Sequence, residues 1–141
     1  MSNESKNESL FDQAMARYQA GATASEVIHD FEEITTSSPN NSAGWTCLAW
    51  LQLLCDQPEA ALRSARLAVK LNAQDPQARI NLTLALLGTK SKGVRSHIDL
   101  IKKILFAMPD MEKELLSSID DGLSRKPDWA ELKKVKTWLD L

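Results

Sequence analysis

Residues 42–75 read SAGWTCLAWLQLLCDQPEAALRSARLAVKLNAQD. In the first half, Trp45, Leu48 and Ala49 fall at i, i+3 and i+4, the spacing of one helical face. Asp56-Gln-Pro-Glu59 then interrupts the pattern with capping-box spacing, and Pro58 suits the first position of a new helix. In the second half Ala61, Ala65 and Ala68 recur at helical spacing. Small residues in a row let two helices approach closely. The stretch therefore predicts an antiparallel helical hairpin.

The same pattern repeats on both sides. Thirty-four residues upstream of Trp45, Leu48, Ala49 and Gln52 stand Phe11, Ala14, Met15 and Tyr18. Thirty-four downstream stand Arg79, Leu82, Thr83 and Leu86. Val27, Phe31 and Ile34 match Ala61, Ala65 and Ala68 without a gap. A third unit needs two extra residues in its turn near Thr89–Gly93, after which His97, Ile101, Ile104 and Pro109 take the matching places. A self-similar period of this length marks a stack of supersecondary units, none of which buries its face alone.

Helices are expected near 8–20, 25–37, 42–54, 58–71, 76–88, 93–107, 111–123 and 128–140. Thr23-Ala-Ser-Glu26 and Asp128-Trp-Ala-Glu131 read as further capping boxes, and Asp75-Pro76 as a capping carboxylate before proline. No sustained alternating β-branched run predicts a strand. Residues 1–8 are polar and are expected to be disordered, with one all-α domain over 9–141.

The 141 residues are one domain's worth of chain, with ordinary globular usage. No apolar run reaches the ~20 residues of a membrane-spanning helix, and the polar start does not read as a secretory signal. The net charge of −2 gives no global basic field for nucleic acid. The first repeat is acidic, whereas most lysines lie beyond Gly88. Cys47 and Cys55 lie two helical turns apart, roughly 12 Å, too far for a disulfide, and read as small apolar side chains in a reducing, cytoplasmic setting.

With its spaced large, small and closing residues, the chain resembles the tetratricopeptide repeat family. Ser42–Asp75 carries the pattern best, through Trp45, Leu48, Ala49, Ala61, Ala65 and Ala68. It departs at Gln52, where an aromatic is usual, and at Ala73, where proline is usual. Units at about 8–41 and 76–111 follow less strictly, and 112–141 forms a degenerate fourth hairpin. The resemblance implies a right-handed solenoid whose concave groove, lined by the first helix of each hairpin, binds a segment of another protein. The role implied is that of an adaptor, co-chaperone or assembly factor.

By the same resemblance the groove-facing positions are Thr46, Trp50 and Leu53, then Ile80, Asn81, Leu84 and Leu87, with Lys113 at the edge. Trp45 and Trp50 point about 140° apart on one helix, so Trp45 is expected to pack and Trp50 to face the groove. Exposed aromatics in an apolar strip suit an amphipathic or apolar partner segment. Asn81 and Lys113 match two places of a carboxylate-gripping cluster found in some family members; Thr46, Trp50 and Ser117 do not match the others. The alternative is structural: the strip is filled by Trp129–Leu139 of the same chain, or by a second copy in a homodimer.

No residue set points to catalysis, a cofactor or a metal. Gly88-Thr-Lys-Ser-Lys-Gly93 has phosphate-loop glycine spacing, but Val94-Arg95 follow it and no strand precedes it, so it reads as a basic turn. His29 and His97 lack ligand-spaced partners. Glu32-Glu33 and Asp120-Asp121 point about 100° apart on a helix and make no acid/base couple.

Overall fold

The computed structural model describes residues 3–141, and these form eight helices with no strand among them. In chain order they are α1 (Asn3–Gln19), α2 (Ala24–Ser37), α3 (Ser42–Leu54), α4 (Pro58–Leu71), α5 (Pro76–Gly88), α6 (Val94–Ala107), α7 (Met111–Arg125) and α8 (Ala130–Trp138). The expected boundaries hold closely for α2 to α6. Helix α1 starts well before the expected residue 8, because Glu and Lys are good helix formers that need no buried face to join an existing helix. Met1 and Ser2, also expected to be disordered, lie outside the described residues.

Two of the four expected caps form. The Thr23 side chain accepts from the Glu26 N–H, and the Asp75 carboxylate accepts from the Gln77 N–H at 2.9 Å. Asn41 adds a third at α3, accepting from the Gly44 N–H. The expected caps at Asp56 and Asp128 do not form. Asp56 takes a left-handed backbone, φ 58°, which turns its carboxylate to Lys126 instead, and Gln57 occupies the capping position. At α8 the capping position is Trp129, one residue later than expected.

Successive helices pack as hairpins: α1 on α2, α3 on α4, α5 on α6, with α2 on α3 and α4 on α5 joining them. The predicted small residues sit at these close approaches. Ala61, Ala65 and Ala68 of α4 are fully buried, as are Val27, Phe31 and Ile34 at the equivalent places in α2. Phe11 meets Phe31 edge to face, with ring centroids 5.4 Å apart. Trp45 packs against this first cluster and donates its indole N–H to the Pro39 carbonyl at 2.8 Å.

The C-terminal hairpin does not continue the stack as a regular fourth unit. Helix α8 packs on α5 and α7, while α7 reaches across to the end of α1. The first helices of the three hairpins, α1, α3 and α5, thus face α7 and α8 rather than open solvent.

Candidate functional site

The predicted groove positions lie together, and the chain's own hairpin is seated on most of them. Trp50, Leu53, Ile80 and Leu84 form one buried cluster with Leu115 and Ile119 of α7 and with Trp129, Leu132, Val135 and Leu139 around α8. Trp50 is only 8% exposed, and its ring lies 5.3 Å from that of Trp129. Leu87 packs half-buried at the edge of the cluster, Thr46 and Asn81 are buried, and Lys113 is exposed. The apolar strip read from the sequence is therefore a seat for α7 and α8 and not an open floor. Trp138 stays 39% exposed beside Val94 and Ile98 of α6. Its neighbours Val135 and Leu139 carry the buried face instead.

Gly122 permits this close seating. A Cβ there would lie 2.8 Å from Trp50 Cζ2 and Cη2 and from Leu132 Cδ2. Only a residue without a side chain lets α7 approach the indole so nearly.

A polar clasp holds the far end of α7. The Trp50 indole N–H donates to the Tyr18 hydroxyl at 3.0 Å, and that hydroxyl donates to Asp121. Arg125, one helical turn after Asp121, donates from Nε to its carboxylate at 3.1 Å. The other two guanidinium nitrogens donate to the carbonyls of Ala22 and Tyr18 at 2.8 and 2.7 Å, and the group lies 3.7 Å over the Tyr18 ring. A cation here meets main-chain carbonyls at the negative end of α1. Burial, followed by the hydrogen bond to Asp121, raises the Tyr18 phenol well above its ordinary value, so it stays a donor. Tyr18 stood out in the sequence only as a repeat position, and Asp121 only as half of an acidic pair. The Asp121–Arg125 spacing of i, i+4 was the one available signal for the clasp.

Between α1, α3, α5 and α7 a cleft of about 330 Å³ remains open. Met15, Phe31, Cys47, Trp50 and Leu51 give it apolar walls, and Thr46, Gln77, Ser117, Ser118 and Asp121 add polar atoms. Burial pushes the Cys47 thiol up to about 12, so it is a neutral wall atom, 3.9 Å from Met15 Sδ. Asn81 is committed elsewhere: its amide N–H₂ donates to the Thr46 carbonyl, and its oxygen accepts from Gln77 Nε2, both at 2.8 Å. Gln77 Oε1 is buried with no hydrogen-bond partner. Lys113 does not line the cleft, so Asn81 and Lys113 do not come together as a carboxylate grip.

Among the described residues, no group of three or more His, Cys, Asp or Glu is placed to hold a metal ion, and no helix is long and apolar enough to cross a membrane. His29 pairs with Glu32 on the surface. His97 is half-buried, with Arg79 3.1 Å from Nδ1, and burial and then this cation hold its imidazole below the usual range. Cys47 and Cys55 are both free.

The shape is shared with solved structures. The chain is similar to PcrH in complex with the chaperone-binding region of PopD, at 17% identity and a TM-score of 0.71, covering 96% of this chain and 95% of that one. It is similar to the Yersinia enterocolitica type III secretion chaperone SycD in complex with a peptide of the translocator YopD, at 16% identity and a TM-score of 0.69, covering 89% and 95%. The first tetratricopeptide domain of Spaghetti, bound to an HSP90 peptide, matches at 18% identity and a TM-score of 0.56, covering 97% and 95%. The likeness is one of fold. The chain is a tetratricopeptide-like helical repeat. No family model matches it, and no curated protein matches it in sequence.

Proposed function

We propose that this chain is a protein-binding module of the adaptor or chaperone kind, and a member of the tetratricopeptide repeat family. It acts by binding rather than catalysis, in the cytoplasm, on a segment of another protein. The observation that carries this reading is the cleft on the concave side, walled by apolar side chains yet bordered by polar atoms, as ligand sites are. Three structures of the same fold are described as complexes with a peptide or binding region of another protein, which supports the reading. Thr46 and Trp50 contribute to the cleft directly. Leu53, Ile80, Leu84 and Leu87 act beneath it, packed in the cluster that seats α7 and α8, and Asn81 ties α5 to α3.

The structural reading also draws on a specific observation, since Trp129, Leu132 and Val135 fill the apolar strip. The two readings join: the hairpin takes the deep part of the groove and leaves the Met15 end for the partner.

Selection of displayed peptides on the purified chain tests this. Selected peptides should bind with micromolar affinity and lose at least tenfold on Ser117→Trp, which fills the cleft from an exposed position. Peptides that bind the variant as well as the wild type would place the interaction elsewhere and refute the reading.

A further inference from the structure

Helix α6 is the last of the regular stack, because α7 and α8 fold back onto the concave side. It keeps a face that no following hairpin covers. Arg95, Asp99, Lys102 and Phe106 recur there at i, i+4, i+7 and i+11, and all four are exposed, Phe106 by 91%. Trp138 of α8 stands alongside, and between the two helices lies a furrow of about 460 Å³. Val94, Ile98 and Trp138 give it apolar walls, and Arg95, Asp99 and Lys102 charged ones. Val94 and Trp138 are open to solvent, and none of the six belongs to the cleft on the concave side. Unlike Trp45 and Trp50, Trp138 donates its indole N–H to no described residue.

The charge around this furrow names its complement. In a chain of net charge −2, residues 88–107 carry five cations, Lys90, Lys92, Arg95, Lys102 and Lys103, and one carboxylate, Asp99. All five are exposed, and among the described residues only Lys102 has an ion-pair partner, Asp140 at 3.7 Å. A second copy of the chain fits poorly. Furrow against furrow sets basic on basic, and the acidic α1 and α2 carry no exposed large apolar side chain with which to fill it. An anionic membrane would meet the exposed Asp110, Glu112 and Glu114 just past Phe106. Exposed apolar side chains are ordinary when scattered singly. Here Trp138 walls a furrow under unanswered positive charge, and Phe106 extends its α6 face one turn past Lys102.

We propose that the furrow between α6 and α8 is a second docking site, for an acidic segment of a partner protein. The segment seats one aromatic or branched aliphatic side chain against Ile98 and Trp138 and sets its carboxylates against Arg95 and Lys102. The inference does not rest on the peptide-binding reading of the concave cleft.

NMR titrations of the full ¹⁵N-labelled chain test this with the peptide acetyl-Glu-Asp-Leu-Phe-Asp-Glu-amide. Two control peptides replace its acids by Gln and Asn, or its Leu and Phe by Ala. Phosphatidylserine vesicles and an oligothymidylate serve as anions of other classes. The acidic peptide should shift the amides of Arg95, Asp99 and Lys102 and the Trp138 indole signal. Either control should bind about fivefold or more weakly, since both the charge and the apolar anchor are needed. The double variant with Arg95→Gln and Lys102→Gln, both at exposed positions, should lose about fivefold for the acidic peptide while its melting stays near that of wild type. Equal binding of either control overturns the inference, because one half of the furrow is then idle. No shift in the furrow overturns it and leaves the cleft reading standing, and shifts at Cys47 and Ser118 instead would move the peptide to the cleft. Tighter binding of the vesicles or the oligothymidylate to the same residues overturns it in favour of that class. Furrow shifts that follow protein concentration without a probe overturn it in favour of a second copy.

Discussion

The substitution Gly122→Ala tests the docking of the C-terminal hairpin through the sign of one free-energy change. Gly122 lies inside α7. At an exposed position within a helix, replacing glycine by alanine stabilises by about 0.8–1 kcal/mol, because alanine loses less backbone freedom. Here the added methyl would sit 2.8 Å from two atoms of the Trp50 ring and from Leu132 Cδ2. Neither neighbour is free to retreat: the indole is tied to Tyr18 and leans on Trp129, and Leu132 is fully buried. Overpacking of this kind costs about 1–3 kcal/mol. The expected net effect is a loss of about 1 kcal/mol, with the helix gain offsetting part of the clash. Urea unfolding followed by circular dichroism measures it, and hydrogen exchange should show the opening concentrated in 111–141. In a Trp50→Phe background the ring end that meets the methyl is gone and only the Leu132 contact remains, so the same substitution should cost less than in wild type, a coupling that a double-mutant cycle reads. A Gly122→Ala chain more stable than wild type would refute the seating of α7 on Trp50.

Two further outcomes follow from the same geometry. Arg125→Gln removes the cation that meets the end of α1; charge-assisted hydrogen bonds of this kind contribute about 1.5–3 kcal/mol, so exchange in 111–141 should rise while α2 to α4 stay protected. Uniform loss of protection along the chain would argue against a local clasp. Acidification should act through His97, whose folded value is depressed by burial and by Arg79. Its contribution is present above the ordinary imidazole value of about 6.5 and is lost as pH falls through the lower folded value, because the unfolded state takes up the proton first. Thermal melting between pH 7.5 and pH 5 should therefore fall less steeply for His97→Gln than for wild type, and parallel curves would remove His97 from the account.

The sequence made the repeating part legible because periodicity and local chemistry carry it. The 34-residue recurrence, the alanines of α4 and the Asp75-Pro76 start are all read within a few residues, and the helices stand where those signals put them. The caps show where this stops. Asp56-Gln-Pro-Glu59 and Asp128-Trp-Ala-Glu131 have the right spacing, yet neither Asp caps, since the backbone at Asp56 and the burial of Trp129 are fixed by distant partners. The cleft was legible only in part. Trp50 and Thr46 were placed on the concave side by the family resemblance, but Tyr18, Asp121 and Arg125 gained their roles from contacts far along the chain.

Sequence alone determined which residues form helices, how those helices pair, and which face of each is apolar, because these depend on spacing within a turn or two. What covers the concave face was decided by the tertiary structure. The same apolar strip would suit a partner's helix or the chain's own, and periodicity cannot distinguish them. Gly122 lets α7 close on Trp50, and Arg125 ties it to the end of α1, about a hundred residues away in sequence. Those two contacts turn an open groove into a partly filled one with a cleft at its Met15 end.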